Sequence, residues 1–288
     1  MIDAHHHLWR YDERQHDWMT ARMGRLKRDH LPDELESLIA AAGVHGTIAV
    51  QARRLDKETA WLLELARQHP FILGVVGWLD TAAPDLEASL ERLSGDGKLI
   101  GMREVVHDMP DPDYCSSTEH VRAVGVVARA GLAYDLLLKP ENLASALVLV
   151  DTYPECRFVV DHIAKPDMRP SSAGTSAPDR TAWERGLRRL ASRPNVACKL
   201  SGLVTECDWD DWNASDVQPF LDTVLDAFGA SRCMLGSDWP VCTLAADYRE
   251  TIGLVTDYAR RLSDTEQNDI FERTARTWYR LNPSEEDV

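Results

Sequence analysis

The chain has 288 residues, 44% of them hydrophobic, with 6 cysteines and a formal net charge of −15. A surface that acidic repels phosphate backbones and anionic lipid, which argues against nucleic-acid and membrane-surface roles, and no run of about 18 uncharged apolar residues could span a bilayer. No basic stretch precedes an apolar one near residue 1 and the cysteines form no C-x-x-C pair, so the expected setting is the cytoplasm, with reduced thiols and a small-molecule substrate.

Short β-branched runs that end in polar residues alternate with longer segments of helical spacing. Residues 2–7 form the first run. Leu35, Leu38, Ile39 and Ala42 then mark a helix entered at Pro32-Asp33 and stopped at Gly43. A second run, 44–52, precedes a helix carrying Trp61, Leu62, Leu65 and Ala66 behind Asp56. The third, 71–79, precedes Leu86, Leu90 and Leu93 at i, i+4, i+7. After the fourth, 99–106, Val121, Val124 and Ala128 lead to a stop at Gly131. The fifth, 132–138, gives way to Leu143, Leu147 and Val150 behind Pro140, and the sixth, 157–162, to Trp183, Leu187 and Leu190. The seventh, 195–201, is followed by the strongest stripe, Val217, Phe220, Leu221, Val224, Leu225 and Phe228, with Asp216 before it and Gly229 after. The eighth, 232–237, leads to helical segments near 246–261 and 265–281.

Alternating strand and helix means a parallel sheet, because parallel neighbours need a crossover. Eight such units in a chain of this length predict an α/β fold of the (β/α)8 barrel type, in a single domain over residues 1–288. The open, doubly wound alternative lacks its glycine fingerprint. Two long loops, 165–180 and 205–214, follow strands and are expected over the C-terminal face of the barrel as flaps.

Active sites of such barrels are built where strands end. The first run ends in "DAHHHLW". Side chains alternate along a strand, so His5 and His7 share one face and His6 takes the other. Run two ends with Gln51 and Arg53 on one face. Arg103 interrupts the apolar fourth run and needs a carboxylate or a substrate oxygen for its guanidinium; His107 follows it. Asp135 on run five could orient a histidine or arginine. Run six ends at His162, with Asp161 expected to point the other way. Lys199 on run seven is expected to pair with a carboxylate inside the barrel. Run eight ends in "LGSDWP", which puts the carboxylate of Asp238 at the barrel mouth. Three imidazoles and one carboxylate suit Zn²⁺ or a related divalent ion with open positions. The same set could also act without metal, the histidines binding a carbonyl oxygen and Asp238 serving as base. No serine-hydrolase elbow, P-loop or thiol-nucleophile motif competes with this set.

In order, "IDAHHHLW", "ETAWLLELA", "GVVGWLD", "GMREVVHD", "VVDHIAKP", "CKLSGL" and "GSDWPV" resemble the amidohydrolase-2 family of the amidohydrolase superfamily. The likeness is greatest to its sugar-lactone and pyrone-dicarboxylate lactonase branch, and within that to the L-fucono- and L-rhamnono-lactonase group. The resemblance implies a (β/α)8 barrel that hydrolyses a cyclic ester. It makes His5, His7, His162 and Asp238 the core set, as catalytic residues and as ligands of any metal. Arg103 matches the arginine of a G-x-R-H signature, while Glu104 replaces its histidine and His107 stands where glutamine is common. The superfamily's bridging lysine has no counterpart in the matching position, which implies one metal at most; some relatives use none.

Lactone opening needs an activated water, a polarised carbonyl and a proton for the leaving alkoxide. Asp238 is the expected base, with a divalent ion on His5 and His7, or His162 with Arg103, stabilising the oxyanion. Trp9, Arg53, His107, Lys165 and Trp239 join Arg103 as candidate substrate contacts. A pyrone dicarboxylate would need several arginines, so a neutral aldono-lactone is favoured. The rivals are a metal-dependent decarboxylase of the same family and a non-catalytic barrel that binds a sugar acid.

Overall fold

The computed structural model describes residues 1–78, 80–95, 97–169 and 180–281. All eight expected strands form, and they pair side by side in chain order as one parallel sheet. They are β1 (Ile2–His6), β2 (Gly46–Val50), β3 (Ile72–Gly77), β4 (Leu99–Glu104), β5 (Ala133–Leu136), β6 (Phe158–Val160), β7 (Val196–Leu200) and β8 (Cys233–Leu235). Each is shorter than its apolar run. Residues 170–179 of the first expected flap lie outside the described residues.

The crossovers are helical, as the spacing predicts: α1 (Pro32–Ala41), α2 (Asp56–Gln68), α3 (Leu86–Ser94), α4 (Thr118–Arg129), α5 (Leu143–Thr152), α6 (Arg180–Ala191), α7 (Ala214–Phe228) and α8 (Tyr248–Ala259). Asp216 does not precede α7 but sits at its third position. Asn213 is the N-cap, and the two side chains cap each other's backbone N–H groups. The last expected helix is three pieces: α9 (Asp264–Asn268), a π-helical turn over Asp269–Arg273, and α10 (Thr274–Tyr279). Among the described residues no helix is long and apolar enough to cross a membrane.

Three hydrophobic clusters result. The largest fills the space between sheet and helices. The second plugs the barrel interior with Ile48, Val76, Val159 and Met234, and α10 covers its floor with Ala275 and Tyr279. The third is small and packs around Trp9, Met19, Leu26 and Leu244. The barrel closes between β8 and β1 through backbone bonds at the chemistry itself: Asp238 N–H donates to His5 O at 2.8 Å and His7 N–H to Trp239 O at 2.6 Å. The Asp3 carboxylate fastens this seam. It accepts from Ser237 N–H (2.8 Å), Ser237 Oγ (2.6 Å), His5 N–H (3.1 Å) and Tyr248 Oη (3.1 Å).

Candidate active site

The first strand aims its histidines by a bulge. Asp3 pairs with Thr47 and His6 with Ala49, so β1 carries one more residue than β2 between those points. The extra residue lets Ile2 and Ala4 face the interior core while His5 and His7 also face inward above it. His6 goes outward, as the alternation predicts, and meets Thr47 Oγ1 at 3.0 Å. Burial lowers the His6 pKa to about 3, so it stays neutral.

The imidazoles converge on one carboxylate oxygen. Asp238 Oδ1 lies 3.3 Å from His7 Nε2, 3.7 Å from His162 Nε2 and 3.9 Å from His5 Nε2. All four residues are buried. Burial alone would raise the Asp238 pKa; His162, His7 and Lys165 outweigh it and hold it below the ordinary carboxylate value. Burial drives the pKa of His5 and of His162 well below that of free imidazole, against the pull of Asp161 and Asp238 respectively.

One hydrogen bond decides the character of this cluster. His7 Nδ1 is 2.8 Å from the Val50 carbonyl oxygen, which can only accept. The proton of neutral His7 is therefore on Nδ1, and the Nε2 lone pair faces Asp238 Oδ1. A lone pair against a carboxylate oxygen at 3.3 Å is repulsive unless a proton or cation lies between them. Donor atoms of His5, His7 and Asp238 all lie within 4.8 Å of one another. The residues thus fit a divalent ion, and the carbonyl behind His7 is the orienting partner such ligands have.

His162 reaches the cluster by a strained turn. The chain leaves β6 at Val160, and His162, Ile163, Ala164 and Lys165 all take positive φ, between 46 and 61°. Non-glycine residues there cost about 1–2 kcal/mol each, and such strain collects at functional sites. The turn has two consequences. Lys165 comes to the cavity beside His162. Asp161, expected to point away, instead points inward, because period-two alternation ends with the strand. It meets Arg103 Nη1 at 2.8 Å, Lys199 Nζ at 3.0 Å and His5 Nδ1 at 3.2 Å. Asp135 pairs with Lys199 (2.6 Å) and accepts from Tyr279 Oη (2.8 Å); it orients neither a histidine nor an arginine. Lys199 has carboxylate partners inside the barrel, as expected.

Gly202 follows β7 at φ +60°, where an added Cβ would stand 2.6 Å from Cγ and Nδ1 of His162. Gly202→Ala is expected to strain the backbone by about 1–2 kcal/mol and to displace the ring. Turnover should fall at least about tenfold, the effect of losing one orienting partner; a steady-state assay with a parallel thermal melt checks this.

A cavity of about 290 Å³ opens above the cluster. Its polar side presents His7, Arg103, His107, His162, Lys165, Glu206 and Asp238. Its other wall is apolar: Trp9, Trp18, Met23, Trp209, Val241 and Leu244, part of a small separate cluster. Trp9 spends its Nε1–H on Arg28 O (2.9 Å) and offers only its ring. Lys165 pairs with Glu206 at 2.5 Å. Burial alone would lower the Lys165 pKa, but Glu206 and Asp238 raise it, so it is an ammonium. The His107 pKa is pushed down to about 2 by burial, with Lys165, Lys139, Arg103 and Arg54 adding to it, and its buried Nδ1 has no hydrogen-bond partner among the described residues.

Two expected substrate contacts stand elsewhere. Arg53 does not line the cavity; Glu58 Oε1 (2.9 Å) and Gln15 Oε1 (2.6 Å) hold its guanidinium. Trp239 is 1% exposed and packs edge-on against His30, with ring centroids 5.2 Å apart. Glu104 is likewise outside, bound by Arg54 Nε and Trp78 Nε1, each at 2.9 Å. Nothing in the sequence marks Glu206 or Asp3 as functional, and Asp161 is expected there to point away. Glu206 falls in an acidic loop where nothing marks one carboxylate from the next.

Residues 2–281 match the amidohydrolase family. The chain is 41% identical over 286 residues to the L-fucono-1,5-lactonase of Burkholderia multivorans, covering 97% of this chain and 96% of that protein. It is 37% identical over 247 residues to the L-fucono-1,5-lactonase of Burkholderia ambifaria, covering 86% and 82%. A crystal structure of an amidohydrolase from Burkholderia multivorans with bound zinc superposes with a TM-score of 0.90 at 40% identity, over 98% of this chain and 99% of that one. Sequence, barrel and the histidine-aspartate cluster agree, and the chain belongs to the amidohydrolase family.

Proposed function

We propose that this amidohydrolase opens a neutral sugar lactone to the sugar acid. The observation that carries the reading is the meeting of three imidazoles on the Asp238 carboxylate, with His7, His162 and Asp238 lining a cavity sized for one small ring and His5 buried behind them. Asp238, held ionised by its neighbours, takes a proton from the attacking water and returns it to the ring oxygen as the acyl–oxygen bond breaks. Arg103 lines the cavity on the side where negative charge would develop on the carbonyl oxygen. His5, His7, His162 and Asp238 would hold one divalent ion, zinc by the chemistry of the donors. Such an ion supplies Lewis acidity at the carbonyl oxygen when bound.

The rest of the cavity reads the sugar. Lys165, Glu206 and neutral His107 offer donors and acceptors for hydroxyl groups, and the tryptophan wall takes the apolar face of the ring. A dicarboxylate substrate is disfavoured, because Arg53, Arg54 and Arg103 already pair with Glu58, Glu104 and Asp161. His107→Ala should raise KM about tenfold, one hydrogen bond's worth, with kcat little changed. Initial rates over a range of lactone concentrations will separate the two.

The reading is tested by proton release from a panel of aldono-1,5- and aldono-1,4-lactones, with and without chelator, alongside detection of CO₂. Stoichiometric acid without CO₂ is the expected result. CO₂ release would favour the decarboxylase, and lactone-induced thermal shifts without any acid would favour a binding barrel.

A further inference from the structure

His5 Nδ1 stands between two groups with opposite demands. Lys199 Nζ is 3.2 Å from it and Asp161 Oδ1 is also 3.2 Å from it. An ammonium only donates and a carboxylate only accepts, while a neutral imidazole carries one proton on one of its two nitrogens. Lys199 therefore favours the proton on Nε2, and Asp161 favours it on Nδ1. Both competitors are fixed in place. Lys199 is held by Asp135 Oδ2 at 2.6 Å, and Asp135 by Tyr279 Oη from the barrel floor. Asp161 is held by Arg103 on its other oxygen. His5, Lys199, Asp135 and Asp161 are all 0% exposed. Stability alone does not call for so many charges inside a barrel, since well-packed apolar residues often serve as well or better. None of Lys199, Asp135, Asp161 and Tyr279 lines the substrate cavity.

The alignment favours Lys199 in the metal-free protein. Lys199 makes a hydrogen bond to Nδ1, whereas Asp161 Oδ1 meets its neighbours without hydrogen-bond alignment. A proton on Nε2 also finds an acceptor: the His7 Nε2 lone pair, 3.3 Å away and fixed by Val50. Arg103 Nη1 can only donate and, 3.4 Å from His5 Nε2, competes for that lone pair, but at longer reach than Lys199 has to Nδ1 at 3.2 Å. A divalent ion on His5 would need the Nε2 lone pair. The proton must then leave Nε2, and one must be taken up on Nδ1, where Asp161 can accept from it; ring charge and electron count do not change.

We propose that Lys199 and Asp161 are positioning residues that set the tautomer of His5, Lys199 holding the proton on Nε2 without metal and Asp161 receiving it on Nδ1 when a divalent ion binds. The inference rests on His5 being a metal-binding member of the lactonase centre. It is tested without turnover, so failure of the lactonase reading is a separate outcome. Imidazole ¹⁵N spectra of the full chain, metal-free and with one equivalent of zinc, read the tautomer; competition with a chromophoric chelator reads zinc affinity.

In the wild type, zinc should move the His5 proton from Nε2 to Nδ1. Asp161→Asn should weaken zinc binding about 10–100-fold, the usual effect of losing an orienting partner. The charge-neutral double variant Lys199→Met/Asp135→Asn should show Nδ1–H before any zinc is added and should bind zinc more tightly. A purely electrostatic role for Lys199 would alter affinity but not the metal-free tautomer. Should the double variant not fold, the wild-type spectra and Asp161→Asn decide alone. A metal-free wild type already protonated on Nδ1, unchanged zinc affinity in Asp161→Asn, or a His5 spectrum indifferent to zinc each overturns the proposal.

Discussion

Asp238→Asn is expected to fold and melt like the wild type while losing about 10³–10⁴ of kcat/KM, near the upper end of what a positioned base contributes. Asp238 has φ 58°, a left-handed conformation that asparagine tolerates at least as well as aspartate. Its backbone N–H bond to His5 O at 2.8 Å does not depend on the side chain. The substitution therefore leaves the barrel seam intact and removes only the charge and the proton-accepting oxygen. An amide can neither take a proton from water nor balance a cation held by three imidazoles. Steady-state rates and a thermal melt on the same preparation check both halves. Wild-type turnover would remove Asp238 from the base role, and a collapsed melt would make the variant uninformative about chemistry.

Asp3→Ala is expected to act through stability. Its carboxylate satisfies Ser237 N–H and Oγ–H, His5 N–H and Tyr248 Oη–H where β8 meets β1. Truncation leaves Ser237 N–H, His5 N–H and Tyr248 Oη–H buried without that partner, while Ser237 Oγ keeps His5 O at 3.3 Å. At about 1–3 kcal/mol for each group that water cannot reach, a total loss of roughly 3 kcal/mol or more follows. The seam carries His5 and Asp238, so residual activity should fall with it. Urea unfolding followed by tryptophan fluorescence measures the loss; a midpoint like that of the wild type would show that the seam holds without its carboxylate.

Much of this was legible in the sequence, for reasons that differ from residue to residue. Period-two spacing put His5 and His7 on one face, and the alternation of strands with helices gave the barrel and hence the mouth where His162 and Asp238 stand. What escaped depends on backbone that breaks the period. Nothing in "VVDHIAKP" announces a left-handed turn; it contains no glycine, and its Ile163 is β-branched. The inward aim of Asp161 was hidden for that reason. Asp3 was visible inside the opening motif, but its role needs Ser237 and Tyr248, which only chain closure brings to it. Arg53 and Trp239 fell at strand ends of the right kind, yet local partners, Glu58 and His30, claim them. A strand-end position says where a side chain begins, not what it meets.

If water activated at Asp238 attacks the lactone carbonyl, the entering oxygen must appear in the new carboxylate. Hydrolysis in ¹⁸O-enriched water, with enzyme sufficient to outrun spontaneous opening and the product fragmented by mass spectrometry, tests it most directly. One ¹⁸O in the carboxylate, with the former ring oxygen unlabelled in the hydroxyl, is the predicted result. Label in that hydroxyl, or lactone recovered without any opening beyond the enzyme-free control, would contradict it.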